Sequence, residues 1–203
     1  MKNFIIIFLI IALAVFFFNR KNQKTHSYSH DHTQNGYVKC GEERWPVKTL
    51  SDDDTAHINY STPQASTIAQ QVQMERPSGQ MEERQPSEIT DYSIPCYLIG
   101  YKAENDQDIH LVIEDIQSGQ TMVAEVVNPD CESVQQSSRY NELRDMHDWF
   151  INNVGTPDHH YYMLPQPLKI TLTGIGFWDF HHGQTGMAAN GREIHPVLSM
   201  EKQ

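Results

Sequence analysis

The chain has 203 residues, a formal net charge of -11 and a mean hydropathy of -0.57, which allows one ordinary domain plus extra segments. It has no cluster of Lys and Arg of the kind that neutralises a phosphate backbone, so nucleic acid is excluded as the main partner. An acidic surface suits cations or basic partners, or keeps a protein soluble.

Residues 1–20 read as a hydrophobic anchor or signal, set apart from the fold. Phe4 to Phe18 is an uninterrupted apolar run after Lys2. At roughly 1.5 Å per residue it spans about 22 Å, short of the ~30 Å hydrocarbon core but enough for a signal core or a minimal membrane helix. Asn19, Arg20, Lys21 and Asn22 follow it without a small-x-small cleavage site, which favours an uncleaved membrane anchor through residues 4–18. Arg20, Lys21 and Lys24 outnumber Lys2, and by the positive-inside rule argue for a cytoplasmic domain. Cys40 and Cys131 argue the other way, because they can close a long loop of the kind that persists outside the reducing cytosol. The non-cytoplasmic side is the expectation, with Cys96 as core filler in an apolar strand.

Residues 21–39 form a polar tether in which His26, His30, Asp31 and His32 make a crude metal-binding tract. Residues 40–88 begin with a clamp carrying Trp45, Val47 and Leu50. Asp52, Asp53 and Asp54 read as a solvated run, since the oxygen spacing of a calcium loop is missing. A Gln/Pro/Ser-rich connection follows, with one helical turn near Thr67 to Gln73. The compact domain is expected over 89–203.

Its elements alternate apolar and polar residues as half-buried strands do. Strands are expected over Tyr92 to Lys102, Asp108 to Ile116 and Thr121 to Val127, where Glu125 interrupts an apolar run. Ser137 to Asn153 reads as a helix through Tyr140, Leu143, Met146 and Phe150. After a loop at His159 to Tyr162, the stretch from Leu168 to Met200 reads as strand, glycine-rich loop, strand, with Gly174 and Gly176 marking a bulge or bend. Three strands, a helix and two strands is the order of an OB-fold-like five-stranded Greek-key barrel; a loose sandwich of the same strands competes.

The segments ERWPVKTLSD, DIHLVI, TMVAEV, NPDC and GIGFWDFHHGQTGMAANGREIHPVL resemble those of a set of small, uncharacterised exported bacterial proteins. The ending HGQTG…NG-x-E-[IL]-HPVL is particularly distinctive. Such proteins usually carry Pro where this chain has Ala189, which implies a less rigid loop here. They tend to hold both flanking cysteines, so the resemblance implies a Cys40–Cys131 bridge. It implies no activity.

In an OB barrel, the loops joining strands one to two and four to five often frame the ligand site. The first would carry Glu104, Asp106 and Asp108 toward His110; the second, Asp179, His181 and His182 toward Glu193 and His195. The strands of His110 and His195 would both neighbour that of Glu125. Three readings follow. In a ligand module, Asp106, Asp108, Trp178, Asp179, His181, Gln184 and Asn190 bind a small molecule, glycan or protein. In a metal site, His110, His182, Glu193 and His195 bind zinc or another divalent ion. In a structural role, His110 and His195 hold the loop through hydrogen bonds. No H-E-x-x-H, G-x-S-x-G, phosphate-cradling loop or dinucleotide fingerprint occurs, and no catalytic residue is assigned. A nuclease would want arginines beside its carboxylates, and only Arg192 and Arg144 are at hand. The expectation is an anchored envelope binding or accessory module, with a metal-dependent hydrolase as the alternative.

Overall fold

The computed structural model describes residues 40–203 except Glu42, Gln80 and His182, all within one compact unit, Val38–Gln203. The expected anchor at 4–18 and the tether with its histidines lie outside the described residues. Among the described residues, no helix is long and apolar enough to cross a membrane.

The described part is mainly one mixed sheet of six strands. They are β1 (Gln64–Ala65), β2 (Asp91–Ala103), β3 (Ile109–Asp115), β4 (Thr121–Val126), β5 (Tyr162–Trp178) and β6 (Arg192–Lys202). β2 runs antiparallel to both β3 and β5, and β3 to β4. β5 is antiparallel to β6, and β4 meets β6 in a short parallel pairing at Val123↔Glu193 and Ala124↔Ile194. β1 adds a parallel edge to β2.

Side-chain alternation sorts these strands into two faces. Ile109, Leu111 and Ile113 of β3 join Met122, Ala124 and Val126 of β4 in the main core, with Ile170, Leu172 and Ile194. His110, Glu125, Glu193 and His195 occupy the intervening positions and turn away from that core. Helix α4 (Tyr140–Asn153) closes the core with Met146 and Phe150, the Phe150 ring meeting Tyr101 edge-on at 5.1 Å.

Two element ends differ from the sequence expectation. The helix starts at Tyr140, not Ser137, because the Ser137 hydroxyl donates to the Leu50 carbonyl and accepts from Arg139 N–H, fixing a break after the short α3 (Glu132–Gln135). β5 begins at Tyr162, inside the expected loop. Pairing with β2 jumps from Leu98↔Leu168 to Gly100↔Met163: Pro165 and Pro167 cannot donate to a ladder, so the chain bows out and pairs again. At the other end, β5 shifts register against β6 at Gly174 and before Gly176, where a bulge was expected.

The segment 40–88 is more than a clamp. It supplies buried Val47, Leu50, Ile58, Ile68 and Met81. α1 (Trp45–Lys48) and α2 (Ile68–Gln71) are short, α2 starting at a capping box made by Thr67 and Gln70. Buried charges tie this segment to the sheet. The Arg44 guanidinium donates to both Glu88 oxygens at 2.9 and 2.6 Å, and Glu88 Oε1 accepts from Trp178 N–H at 2.8 Å. Arg84 pairs with Asp52 at 2.6 Å and donates to the Val47 and Glu88 carbonyls. Asp52 is therefore a partner in an ion pair and not merely a solvated acid.

Cys40 and Cys131 form a disulfide across 91 residues of sequence, with Trp45 beside it on the Val127, Val134 and Leu143 cluster. Cys96 is free and buried; burial pushes its thiol up to about 12.

Loss of the bridge in Cys40→Ala/Cys131→Ala releases a long loop in the unfolded chain and should lower unfolding free energy by about 3 kcal/mol, read by urea titration. Glu88→Ala strands the Arg44 charge and should cost about 3 kcal/mol or more in the same titration, while Asp53→Ala on an exposed side chain should stay near zero.

Candidate functional site

The site is built on the sheet face turned away from the core. On antiparallel β3 and β4, His110 stands directly opposite Glu125. β6 runs beside β4 and carries His195 two residues beyond Glu193. The Glu125 carboxylate therefore lies between two imidazoles. His195 Nδ1 is 2.9 Å from Glu125 Oε2, and His110 Nδ1 is 3.5 Å from Glu125 Oε1. The other ring nitrogen of His195 lies 3.3 Å from Asp108 Oδ2, and Asp108 Oδ1 accepts from Asn128 N–H at 3.0 Å. The imidazoles and Asp108 have no side-chain exposure, and Glu125 has 5%.

Two segments cover this face. The glycine-rich β5–β6 loop passes over β3, where the Thr185 carbonyl accepts from His110 Nε2 at 2.9 Å. At Gly186 any Cβ would strike Val112, and φ is +83°, so glycine alone fits comfortably there. The N-terminal segment forms the other cover, held by the disulfide. Gly41 sits so close to Trp45 and Asp106 that it has no room for a side chain. Arg44 lies 4.6 Å over the Phe177 ring, which also has Lys48 Nζ and the His195 ring at 5.5 Å each.

Between these covers opens a pocket of about 380 Å³. Among the described residues, its charged lining is Glu43, Glu104, Asp106, Glu125 and Asp179 against Lys48. Gln184, Asn105, Cys40 and Gly41 complete the wall.

Burial and crowding of carboxylates set the protonation of this group. Burial opposes a charge on His195, but the Glu125 carboxylate and the hydrogen bonds to Asp108 and Glu125 outweigh it, raising the imidazole to about 9. Burial likewise works against the Glu125 anion, yet the His195 cation foremost, with the two flanking imidazoles and Lys48, holds it well below the usual range. Glu125 and His195 thus form a buried ion pair. Asp108 is raised to about 6, chiefly by its burial, with His195 pulling the other way. Burial also raises Glu193 well above the carboxylate range, helped by the Glu125 and Asp179 charges and by a hydrogen bond with Asp179 that favours its protonated form. His110 and Lys48 are raised against their burial, each by Glu125 foremost.

The expected site residues separate into groups. Asp106, Asp179 and Gln184 line the pocket, and Asp108, His110, Glu193 and His195 lie in the buried layer. Trp178 is elsewhere: it is fully buried, with its indole N–H on Ser87 Oγ and its ring under Arg192 at 4.7 Å, so it offers no face to a ligand. Asn190 is a strut, donating to the Gln71 and Met74 carbonyls and accepting from Arg192 N–H. His181 is exposed and His182 lies outside the described residues. Of the expected metal set, His110 and His195 flank Glu125 and Glu193 pairs with Asp179. Among the described residues, the ligand-like groupings are Glu104–His110–Glu125 and Asp108–Glu125–His195.

Lys48 is a pocket residue that the sequence reading missed, while Glu104 was placed in the ligand-framing loop without a role of its own. Lys48 gave no signal, because a lysine at the end of a short helix is usually solvated. Glu104 did, by its place two residues before Asp106. No protein-family model, curated protein or solved structure matches the chain.

With its folded value raised to about 9 from 6.5, His195 contributes stability that is complete below pH 6.5 and lost as pH rises through 9. The urea midpoint of chelator-treated protein should fall between pH 7 and 9.5, and His195→Gln should remove that fall. Equal slopes in the two proteins would contradict the pairing.

Proposed function

We propose that this chain is a membrane-anchored cell-envelope binding module whose acidic pocket takes a small cationic ligand. Its sheet reads as an OB-like barrel. The strand pairings run β2–β3–β4–β6–β5 and back to β2, the cyclic order that joins OB strands one, two, three, five and four. Helices α3 and α4 lie between the third and fourth of these strands, where an OB-fold carries its helix. The anchor reading rests on the apolar run at 4–18. The disulfide supports an exported domain, since such bridges persist in oxidising compartments.

The observation that carries the binding reading is the pocket itself. The β2–β3 loop supplies Glu104, Asn105 and Asp106, and the β5–β6 loop supplies Asp179 and Gln184, to its lining. Those loops correspond to the ligand-framing loops of OB proteins. With Glu43, Glu104, Asp106 and Asp179 beside the paired Glu125, against one ammonium among the described residues, the pocket disfavours anions and favours a cation or an amine. A second reading, a metal-dependent hydrolase, draws on His110 beside Glu104 and Glu125 at the pocket floor, where a bound ion would activate water.

Calorimetry of the full chain in mild detergent, with spermidine as cationic probe and citrate as anionic probe, tests the reading. Spermidine should bind saturably and weaken about threefold in Asp106→Asn, the scale of one partly exposed charge pair. Citrate should not bind. Preference for citrate, or no spermidine binding, would overturn the proposal.

A further inference from the structure

We propose that the pocket floor is a divalent transition-metal site formed by Glu104, His110 and Glu125. The inference rests on the binding-module reading and names the cation. One donor atom from each of these residues lies within 4.8 Å of the other two.

The tautomer of His110 is the first argument. Its Nε2 faces the Thr185 carbonyl at 2.9 Å, and a carbonyl oxygen only accepts, so Nε2 carries the proton. In the neutral ring the Nδ1 lone pair then points at Glu104 Oε1 and Glu125 Oε1, at 3.3 and 3.5 Å. His110 has no side-chain exposure, and its Nδ1 has no aligned hydrogen-bond partner. A lone pair aimed at two carboxylate oxygens in a buried place is repulsive until a cation stands between them. Metal-ligating histidines are held in this way, the second nitrogen donating to a backbone carbonyl.

Distance decides between a proton and a metal ion. A proton shared between an imidazole and a carboxylate draws the heavy atoms to about 2.7–2.9 Å. The two separations here are wider, and neither meets hydrogen-bond geometry. Two ligands bonded at about 2.1 Å in tetrahedral zinc geometry stand about 3.4 Å apart. The observed 3.3 and 3.5 Å bracket that value.

Glu104 and Glu125 both line the pocket, so a fourth position faces the open side. Three protein ligands and one open position is the pattern of a site that binds a further group at the metal. One imidazole nitrogen with two carboxylate oxygens suits zinc, cobalt or manganese better than calcium, which takes oxygen alone. Lys102 Nζ contacts Glu104 Oε1 at 2.9 Å, and at 24% exposure it has room to swing off. The Asp108–Glu125–His195 grouping is a poorer host: carboxylates stand at both nitrogens of that ring and only Glu125 of the three reaches the pocket wall.

Calorimetric titration of the chelator-treated full chain with ZnCl2, together with the visible spectrum of its Co(II) form, tests the site. One equivalent should bind, with an intense tetrahedral cobalt spectrum. Glu104→Gln and His110→Gln should each weaken binding at least about tenfold, since even outer partners of a metal ligand cost that much. Glu104 is part-exposed, so its variant remains informative should the buried His110 variant fail to fold. His26→Ala/His30→Ala/His32→Ala should bind as the parent does. Absence of one-to-one binding, or binding kept in Glu104→Gln and lost in the tether variant, would overturn the site. Spermidine binding that survives such a result would leave the binding module standing without its metal.

Discussion

A carboxylate taken out of water must find a positive partner or give up its charge. Glu125 is the point at which this chain meets that constraint. It sits at 5% side-chain exposure between His195 and His110, on the face of β4 that turns away from the apolar core. Much of the surrounding arrangement follows from keeping that charge. His195 holds a proton on its behalf, Asp108 steadies the far side of the ring, and Lys48 comes in from the N-terminal segment. Glu193, one strand over and in the same acid-rich layer, yields by staying protonated against Asp179. Two neighbouring carboxylates are thereby pushed in opposite directions, which often marks a site with a task beyond packing.

The covers explain why a polar layer survives on the outside of the sheet. Were it open to water, these charges would be screened and the imidazoles would titrate near their ordinary values. The β5–β6 loop shuts one side by laying the Thr185 carbonyl on His110. The segment around α1 shuts the other, fastened by the Cys40–Cys131 disulfide and by Arg44 on Glu88. What stays open is the acidic pocket. The disulfide thus bears on the integrity of the site, because it ties down Cys40 and Gly41, which line the pocket.

Much of this was legible in the sequence. Period-two alternation over Ile109, Leu111 and Ile113 placed β3 correctly, and it forced His110 onto the opposite face. Glu125 stood out as a charge inside an apolar strand, and strand order alone put it beside His110 and His195. The limits were of two kinds. Trp178, next to a glycine-rich loop, looked like a ligand platform, but a strand-end tryptophan is just as well suited to covering a buried arginine, and only tertiary contacts distinguish the two. Lys48 and Arg44 were hidden because their role depends on a segment folding back across the sheet, which no local pattern encodes. His159 to Tyr162 read as a loop, whereas β5 already begins at Tyr162 and bows around Pro165 and Pro167.

Direct reading of the histidine protonation states tests the central claim. Nitrogen-15 NMR of the imidazoles in chelator-treated protein at pH 7.5 should show His195 carrying protons on both nitrogens, paired with an ionised Glu125 whose carboxyl carbon does not shift between pH 7.5 and 5. A neutral His195 at pH 7.5, or a Glu125 carboxyl that titrates across that interval, would contradict the account.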